Sequence, residues 1–281
     1  MTALAAIALA AALTITPTSR SMQPGELVVL DVSAEVALTS VRAHAFDTNI
    51  DGFMPVAADP RHWRVLIGID LDAKPGAHVA KIVAATSAGA PTELTANYTV
   101  NVTPKKFPTR RLTVNPDFVN PPASAMPRIE AEQKEQAAIW IASPNTRLWS
   151  SPFVRPVPQP ANSAFGTRSV FNGEPRNSHS GADFLSPAGA PIKAPGGGRV
   201  ALAKDTYYSG NTVIIDHGLG VFSLLAHMSR IDVKAGDVVT PGQIVGLVGA
   251  TGRVTGPHLH WTVRVAGARV DPLSVLALLG R

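Results

Sequence analysis

Two short motifs in the C-terminal part of the chain carry residue types that could do chemistry. His258 and His260 are one residue apart and are followed by aromatic and β-branched residues, which are typical of a strand. Alternate side chains of a strand share a face, so both imidazoles are predicted to project together. His179 and Asp183 lie four residues apart in a polar, glycine-containing segment that favours a loop or strand end. Imidazole nitrogens and a carboxylate are ligand types that catalytic zinc sites use.

Each motif taken alone is weak, because His-x-His and His-x-x-x-Asp arise often by chance. Five of the eight histidines nevertheless fall in the C-terminal part, near predicted strands or turns: His179, His217, His227, His258 and His260. The other three, His44, His62 and His78, have no carboxylate at ligand spacing and are interpreted as surface or strand residues. The sequence has no His-Glu-x-x-His motif, which excludes the common zincin arrangement.

The segment from about residue 165 to residue 272 resembles the M23 family of zinc metallopeptidases, the lysostaphin and LytM-like peptidoglycan endopeptidases. Several ordered motifs make this resemblance far more specific than any one of them. The matching runs are Phe165-Gly166-Thr167-Arg168, His179-x-x-x-Asp183, the run from Gly210 to Gly218, Ala226-His227-Met228-Ser229, and Thr251-Gly252-Arg253-x-x-Gly256-Pro257-His258-Leu259-His260. The chain before about residue 145 lies outside the resemblance.

The resemblance implies one Zn²⁺ per chain, held by His179, Asp183 and His260, with His227 and His258 as the catalytic pair beside it. Spacing alone does not separate His258 from His260, and that choice comes from the family. A neutral histidine can accept a proton, and a protonated one can stabilise an oxyanion. Which histidine of the catalytic pair does which remains open.

The composition suits packed β-structure, with 45% hydrophobic and 16% charged residues in a chain of 281 residues, long enough for two domains. Cysteine is absent, which excludes disulfides and cysteine-based zinc sites. The formal net charge of +5 could favour an anionic polymer such as nucleic acid or the cell wall. Nucleic acid is disfavoured, because no run of Lys and Arg is interleaved with aromatic residues.

The chain is predicted to be all-β, with an N-terminal immunoglobulin-like sandwich in residues 17–104. Short apolar runs separated by turn residues predict its strands at 26–32, 41–46, 63–69, 78–83 and 94–100. Residues 1–16 are predicted to be a signal segment, because the apolar run from Leu4 to Leu13 has the length of a secretory h-region, although no Lys or Arg precedes it. That run is too short to span a bilayer.

A connector is predicted in residues 105–150, with one helix at 128–141 that ends before Pro144. Residues 151–281 are predicted to form a mostly antiparallel M23 (LytM-like) sheet with an open groove and no long helix. Its strands are expected at 199–203, 211–217, 221–228, 237–240, 243–248 and 260–265. On strand 221–228, Met228 is expected on the apolar face with Ala226, and His227 on the opposite face.

The function that these features favour is a zinc-dependent endopeptidase that hydrolyses the peptide crosslinks of bacterial peptidoglycan. Its expected partners are peptidoglycan stems and crosslinks, with no nucleic acid and no stable membrane insertion once a signal is removed. An exported protein of the periplasm or cell envelope is implied. The alternatives are an inert LytM-like module that binds or activates other wall hydrolases, and a structural wall-binding protein. All five positions of the family site are filled, which favours the enzyme.

Overall fold

The computed structural model describes residues 12–55, 59–87, 93–113, 121–161, 165–175 and 177–280. Strands dominate, and the described residues form two α-helices, α1 (Met126–Trp140) and α2 (Pro272–Leu279). The predicted all-β class is therefore confirmed. Neither of these helices has the length and apolar character needed to cross a membrane.

The N-terminal strands form two antiparallel sheets that pack face to face. Their bounds are β1 (Thr14–Ser19), β2 (Leu27–Ser33), β3 (Leu38–Ala45), β4 (Thr48–Asp51), β5 (His62–Gly68), β6 (Gly76–Thr86) and β7 (Glu93–Val102). One sheet has the order β1-β2-β5 and the other β4-β3-β6-β7. Buried side chains from both, such as Leu30, Val65 and Ile82, form one core between the sheets. This is the predicted β-sandwich.

The five strands predicted for the sandwich are all present, and β1 and β4 are additional. Strand β1 has the sequence TITPTS, whose polar residues and proline give no apolar alternation. It forms because it pairs with β2 along its whole length, Thr14 opposite Ser33 and Ser19 opposite Val28. Strand β1 begins inside the predicted signal segment 1–16, of which residues 1–11 lie outside the described residues.

The connector contains strand β8 (Thr109–Leu112), a 3₁₀ turn (Ala123–Ala125) and helix α1. The helix begins two residues before the predicted start because Pro127 occupies its first turn, where a missing N–H costs nothing. Ion pairs from Arg128 to Asp205 and from Glu135 to Lys204 attach α1 to the C-terminal sheet. At its end, Trp140 packs edge-on against Phe222 at a ring separation of 5.3 Å.

The C-terminal part is built on one large sheet. Its strands are β11 (Gly181–Phe184), β12 (Pro191–Lys193), β13 (Gly198–Thr206), β14 (Gly210–Asp216), β15 (Val221–Ile231), β16 (Val238–Val239), β17 (Ile244–Val248), β18 (Leu259–Val265) and β19 (Ala268–Val270). The main path is β11-β18-β15-β14-β13-β16, and all pairs in it are antiparallel. Strands β9 (Arg168–Phe171) and β10 (Glu174–Pro175) form a small sheet with β8.

Helix α2 was not predicted, although its start signal is present in the sequence. The Asp271 side chain accepts a hydrogen bond from the Leu273 N–H, and Pro272 occupies the first helical position. The helix is only eight residues long, and its apolar residues give it the composition of a buried segment. A run of this length and composition does not distinguish a helix from a strand.

The sandwich and the C-terminal sheet share a hydrophobic core. Leu27 and Leu66 of the sandwich belong to the same buried cluster as Trp149, Val265 and Val275. These contacts join the two parts over a continuous apolar surface. The division into a sandwich, a connector and a C-terminal domain at residues 104/105 and 150/151 stays a prediction.

An arginine clamp, formed by Arg269 with Asp70 and Asp72, crosses the same boundary. The Arg269 guanidinium donates to Asp70 Oδ1 at 2.5 Å, to Asp70 Oδ2 at 3.0 Å and to Asp72 Oδ2 at 2.7 Å. Although burial acts to raise it, the hydrogen bonds from Arg269 hold the pKa of Asp70 below its ordinary value. Ionised Asp70 therefore stabilises the fold above its unfolded pKa of about 3.9, and this contribution is lost as pH falls through the lower folded pKa.

We expect Arg269→Met to lower the free energy of unfolding by about 1–3 kcal/mol at pH 7, because it leaves Asp70 without its charged partner. The difference from the wild type should be smaller at about pH 3, because it shrinks as pH falls from the unfolded pKa of Asp70, about 3.9, toward its lower folded pKa. Urea unfolding at both pH values measures it. The control is Arg61→Met, which removes an exposed pair with Asp59 within one turn of the sandwich. Equal losses in the two variants would contradict the role of the clamp.

Candidate metal and catalytic site

Three neighbouring strands bring the five predicted site residues together. Strand β18 lies between β11 and β15 and pairs with both. Asp183 of β11 is directly opposite His260 of β18. On the other side of β18, His260 pairs with the β15 residue that immediately precedes His227. His179 lies just before β11, and His258 lies just before β18. Strand register therefore places residues that are up to 81 positions apart at one point.

The side chains of His179, Asp183 and His260 converge within this group. His260 Nδ1 lies 2.9 Å from Asp183 Oδ1 and 2.9 Å from His179 Nε2, and His179 Nε2 lies 3.1 Å from Asp183 Oδ1. An imidazole nitrogen carries at most one proton, which points in one direction, so mutual hydrogen bonds do not satisfy all three atoms. Zinc–nitrogen bonds of about 2.0–2.1 Å would give a tetrahedral face with edges of about 3.3 Å. The donor set therefore fits a zinc-sized cation.

The surroundings hold these groups in the protonation states that metal ligands need. Although burial acts to raise it, hydrogen bonds from His179 and His260 hold the pKa of Asp183 well below its ordinary value. Burial lowers the pKa of His260, and the nearby His179 adds to the effect. His260 Nε2 lies 2.9 Å from Thr262 Oγ1. With a metal bound, the ring would keep its proton on Nε2 and donate it to Thr262, so that Nδ1 would offer a lone pair to the metal in place of its hydrogen bond to Asp183. At neutral pH the group thus presents a carboxylate and a neutral imidazole.

A β-bulge aims His227 toward the cluster. The pairing of β14 with β15 shifts register, so that Ala226 and His227 together face the single residue Thr212. His227 has a φ of 64°, in the left-handed region that residues other than glycine rarely adopt. Its ring centre lies 4.9 Å from that of His258 and 5.9 Å from that of His260.

The bulge overturns the predicted face assignment along β15. Regular alternation placed Met228 on the same face as Ala226, and this is wrong. Met228 packs in the cluster that contains Leu225, whereas Ala226 packs with Phe222 on the other side of the sheet. Both faces of the strand are buried at these positions.

Backbone carbonyls fix the tautomers of the two remaining histidines. His227 Nδ1 lies 3.0 Å from the Thr251 carbonyl, and His258 Nδ1 lies 2.9 Å from the Gly256 carbonyl. A carbonyl oxygen only accepts, so each Nδ1 carries a proton, and in a neutral ring the lone pair is then on Nε2. Burial, with the nearby His260, lowers the pKa of His227 to about 4, so its ring is neutral at neutral pH. His258 Nε2 lies 3.8 Å from Asp183 Oδ1.

The connector supports the segment before His179, which the sequence did not indicate. The Gly166 N–H donates to the His179 carbonyl at 2.7 Å, and the His179 N–H donates to the Thr167 carbonyl at 2.9 Å. Gly166 has a φ of 76°, and a Cβ there would lie 2.1 Å from the ring of Phe107 in the connector. Phe107 in turn packs edge-on against Phe165 at 6.3 Å.

Other residues of the predicted motifs form hydrogen bonds with backbone groups. The Asn211 side chain donates to the Met228 carbonyl at 3.0 Å, and its N–H donates to Thr251 Oγ1 at 2.9 Å. Through these contacts, the glycine-rich loop before His258 reaches the bulge that carries His227.

His217 is fully buried between the Gly197 carbonyl and Ser223 Oγ, away from the cluster.

Comparison with known proteins shows the family to which the chain belongs. The family described as "Peptidase family M23" matches residues 177–272, which contain the five site residues. A crystal structure described as a putative peptidase M23 from Pseudomonas aeruginosa has 33% sequence identity and a TM-score of 0.67, over 92% of this chain and 96% of that chain. The chain belongs to peptidase family M23. The structural likeness extends the resemblance from the C-terminal part to almost the whole chain.

Two curated relatives each match 34% of this chain. Peptidoglycan DD-endopeptidase ShyA of Vibrio cholerae is 44% identical over 95 residues, which are 34% of this chain and 22% of that protein. DD-carboxypeptidase/endopeptidase Mpg of Neisseria meningitidis is 41% identical over 97 residues, again 34% of this chain and 22% of that protein. The chain thus matches 22% of the length of each of these relatives.

We expect Gly166→Ala to disturb the metal cluster from outside it. The added Cβ costs about 1–2 kcal/mol in the left-handed region and must also displace the Phe107 ring, at a further cost of about 1–3 kcal/mol. Gly173→Ala is the matched control, because Gly173 has a φ of 89° on the same hairpin but nothing within 4 Å of the point where its Cβ would lie. Thermal unfolding and metal content measure the difference. Equal effects of the two substitutions would contradict the role of Phe107.

Proposed function

We propose that this chain is a zinc-dependent endopeptidase that hydrolyses the peptide crosslinks of bacterial peptidoglycan. The observation that carries the proposal is the convergence of His179, Asp183 and His260 beside His227 and His258, whose rings contact backbone carbonyls through Nδ1. Membership of family M23 agrees with it.

One zinc ion would be held by His179 Nε2, Asp183 Oδ1 and His260 Nδ1. Three protein ligands leave a position open for solvent or substrate, as catalytic zinc sites require. Bound there, zinc would lower the pKa of a water ligand to about 7 and polarise the carbonyl of the peptide bond. Thr262 would orient His260 in this state, as the partner of a metal-binding histidine commonly does.

His227 and His258 would move the protons of the reaction. A neutral imidazole accepts a proton at Nε2, and the resulting imidazolium can stabilise negative charge on the carbonyl oxygen or donate to the leaving amine. The Thr251 and Gly256 carbonyls hold the two rings with Nε2 directed away from the backbone. Both rings are partly or largely buried, which keeps competing solvent hydrogen bonds few.

Peptidoglycan as the substrate rests on the names of the curated relatives, which are called peptidoglycan DD-endopeptidase and DD-carboxypeptidase/endopeptidase. An exported, envelope-associated protein follows from that substrate. An inert wall-hydrolase activator would not need all five site residues in place, and their joint presence favours the enzyme. Digestion of purified sacculi, with the products analysed by mass spectrometry, identifies the bond. Undigested sacculi with a fully zinc-loaded protein would contradict the enzyme and favour the inert module.

We expect about one equivalent of zinc in the purified protein, and its loss in His179→Ala and in Asp183→Ala. Each substitution removes one of three ligands, while the other two cannot complete a site. Elemental analysis after dialysis against a weak chelator measures the bound metal. His217→Ala is the control, since His217 is buried away from the cluster and should leave the metal content of the folded fraction unchanged. Full zinc content in both ligand variants would disprove the assignment.

We expect His227→Ala and His258→Ala to keep zinc and to lose most turnover. Removing a positioned acid or base typically costs about 10²–10⁴-fold in rate, and removing an oxyanion donor costs a similar factor. The double variant should lose less than the product of the two factors if the residues act as a unit. Crosslink hydrolysis and bound zinc are measured on the same samples. Loss of zinc in His258→Ala but not in His260→Ala would show that their roles are reversed.

A further inference from the structure

A strand from the connector extends the wall of the site. Strand β8 pairs in parallel with β9, Thr109 opposite Arg168 and Arg111 opposite Val170. The residue before β9, Thr167, accepts a hydrogen bond from the His179 N–H at 2.9 Å. The connector strand therefore lies one strand away from the segment that carries a residue of the metal cluster.

The register places two arginines on one face of this small sheet. Alternate residues of a strand share a face, and paired residues of neighbouring strands share it too. Arg111 and Arg168 thus lie on the same face, with Val170 and its partner Pro175 between and beside them. The same face borders a cavity of about 480 Å³ that is lined by Arg111, Thr113, Val170, Asn172, Gly173 and Pro175. Arg110 lies on the opposite face.

These arginines differ from most others in the described part of the chain. Arg20, Arg128 and Arg269 each form ion pairs with two carboxylates. Arg111 and Arg168 are exposed, and among the described residues neither forms an ion pair or a side-chain hydrogen bond. Glu174 on β10 is exposed and is likewise without an ion pair there. The face therefore offers two guanidinium groups without an ion pair among the described residues, of which Arg111 lines the cavity.

We propose that this face, which we call the arginine face (Arg111, Arg168 and the cavity beside them), binds the free carboxylates of the peptidoglycan stem peptide. This inference rests on the proposed function and adds the means by which the acidic stem is recognised. A guanidinium binds a carboxylate through two parallel N–H donors, which gives both energy and orientation. Arg111 is two residues along β8 from the partner of Arg168, so the two arginines are diagonal neighbours on adjacent strands, about 7–8 Å apart. That separation is within reach of two carboxylates on one extended peptide.

Charge complementarity selects an acidic peptide as the occupant. The cavity is polar at its turn, through Asn172 and Gly173, and apolar at Val170 and Pro175, which suits a short peptide with mixed side chains. The position of the arginine face also supports a peptide as the occupant, because a peptide bound across this sheet would lie next to the segment before His179. Residue Arg111 lies outside the part of the chain that matches the family, residues 177–272. Recognition of the stem would thus depend on the connector as well as on the metal site.

The test measures binding separately from cleavage. The full chain is titrated with a monomeric stem peptide, which has no crosslink to cut, and with the same peptide after amidation of its carboxylates. The variant is Arg111→Gln/Arg168→Gln. Its control is Arg110→Gln/Lys234→Gln, which removes the same charge from the opposite face of β8 and from a distant exposed lysine. Zinc content and thermal unfolding are recorded for every sample.

We expect the Arg111→Gln/Arg168→Gln variant to raise the Kd for the acidic peptide about tenfold, as the loss of charge-assisted hydrogen bonds predicts. The control should change it less than twofold, and amidation should remove the difference between variant and wild type. Arg111→Lys/Arg168→Lys should recover part of the affinity, since it restores charge without the two-donor geometry. Wild-type binding should weaken with added salt.

Three results would overturn the proposal, two of them from the variants and the peptides. One is a change below twofold in the Arg111→Gln/Arg168→Gln variant, and the other is an equal loss in the control or on the amidated peptide. Equally tight wild-type binding of an anionic wall glycan without peptide would also overturn it in favour of a glycan surface. The outcome is separable from the proposed function. A wild type that binds the acidic stem through the arginines but leaves sacculi undigested upholds this inference and refutes the enzyme.

Discussion

The site depends on holding three electron-pair donors within 3.1 Å of one another: His179 Nε2, Asp183 Oδ1 and His260 Nδ1. Such a group repels itself unless a proton or a cation lies between its members. The fold supports it with strand register, because Asp183 is paired directly with His260. Phe184 and Trp261, the residues next to them, are fully buried, so a slip of one residue would expose large apolar side chains and bury the ligands.

The second constraint is the backbone conformation of His227, which costs about 1–3 kcal/mol and must be held by its neighbours. Its N–H donates to the Ser209 carbonyl at 2.8 Å, and its ring donates to the Thr251 carbonyl. Helix α1 also holds the turn that contains Ser209. The Glu132 carboxylate of this helix accepts a hydrogen bond from the Tyr207 N–H in that turn at 2.8 Å. The connector helix therefore contacts the same turn that holds the backbone of His227.

Much of the fold could be predicted from sequence, because apolar alternation and turn residues are local signals. Five strands of the sandwich and six of the C-terminal part were predicted in this way, whereas others, such as β1, β4, β12 and β19, were not. Ordered motifs pointed to the five residues that the structure brings together. The bulge at His227 could not be predicted, because it arises from the pairing register of β14 with β15. The alternation of apolar and polar residues along the sequence does not show it. Strand β8 was missed for a related reason. Its residues, Thr109–Leu112, are polar and basic, and they form a strand only because β9 supplies the partner.

The same contacts imply that the sandwich takes part in the geometry of the site. Phe107 and β8 reach the segment before His179 from a connector whose start is fixed at the sandwich, where Lys105 pairs with the buried Glu26 at 3.6 Å. Glu26 also accepts a hydrogen bond from Ser274 of α2 at 2.9 Å, inside the C-terminal part. A displacement of the sandwich would therefore shift the start of the connector, the Phe107 ring over Gly166 and, through Gly166, the backbone of His179. Since core packing transmits such shifts with little compression, the sandwich acts as a rigid support for the metal cluster as well as a separate layer of the fold.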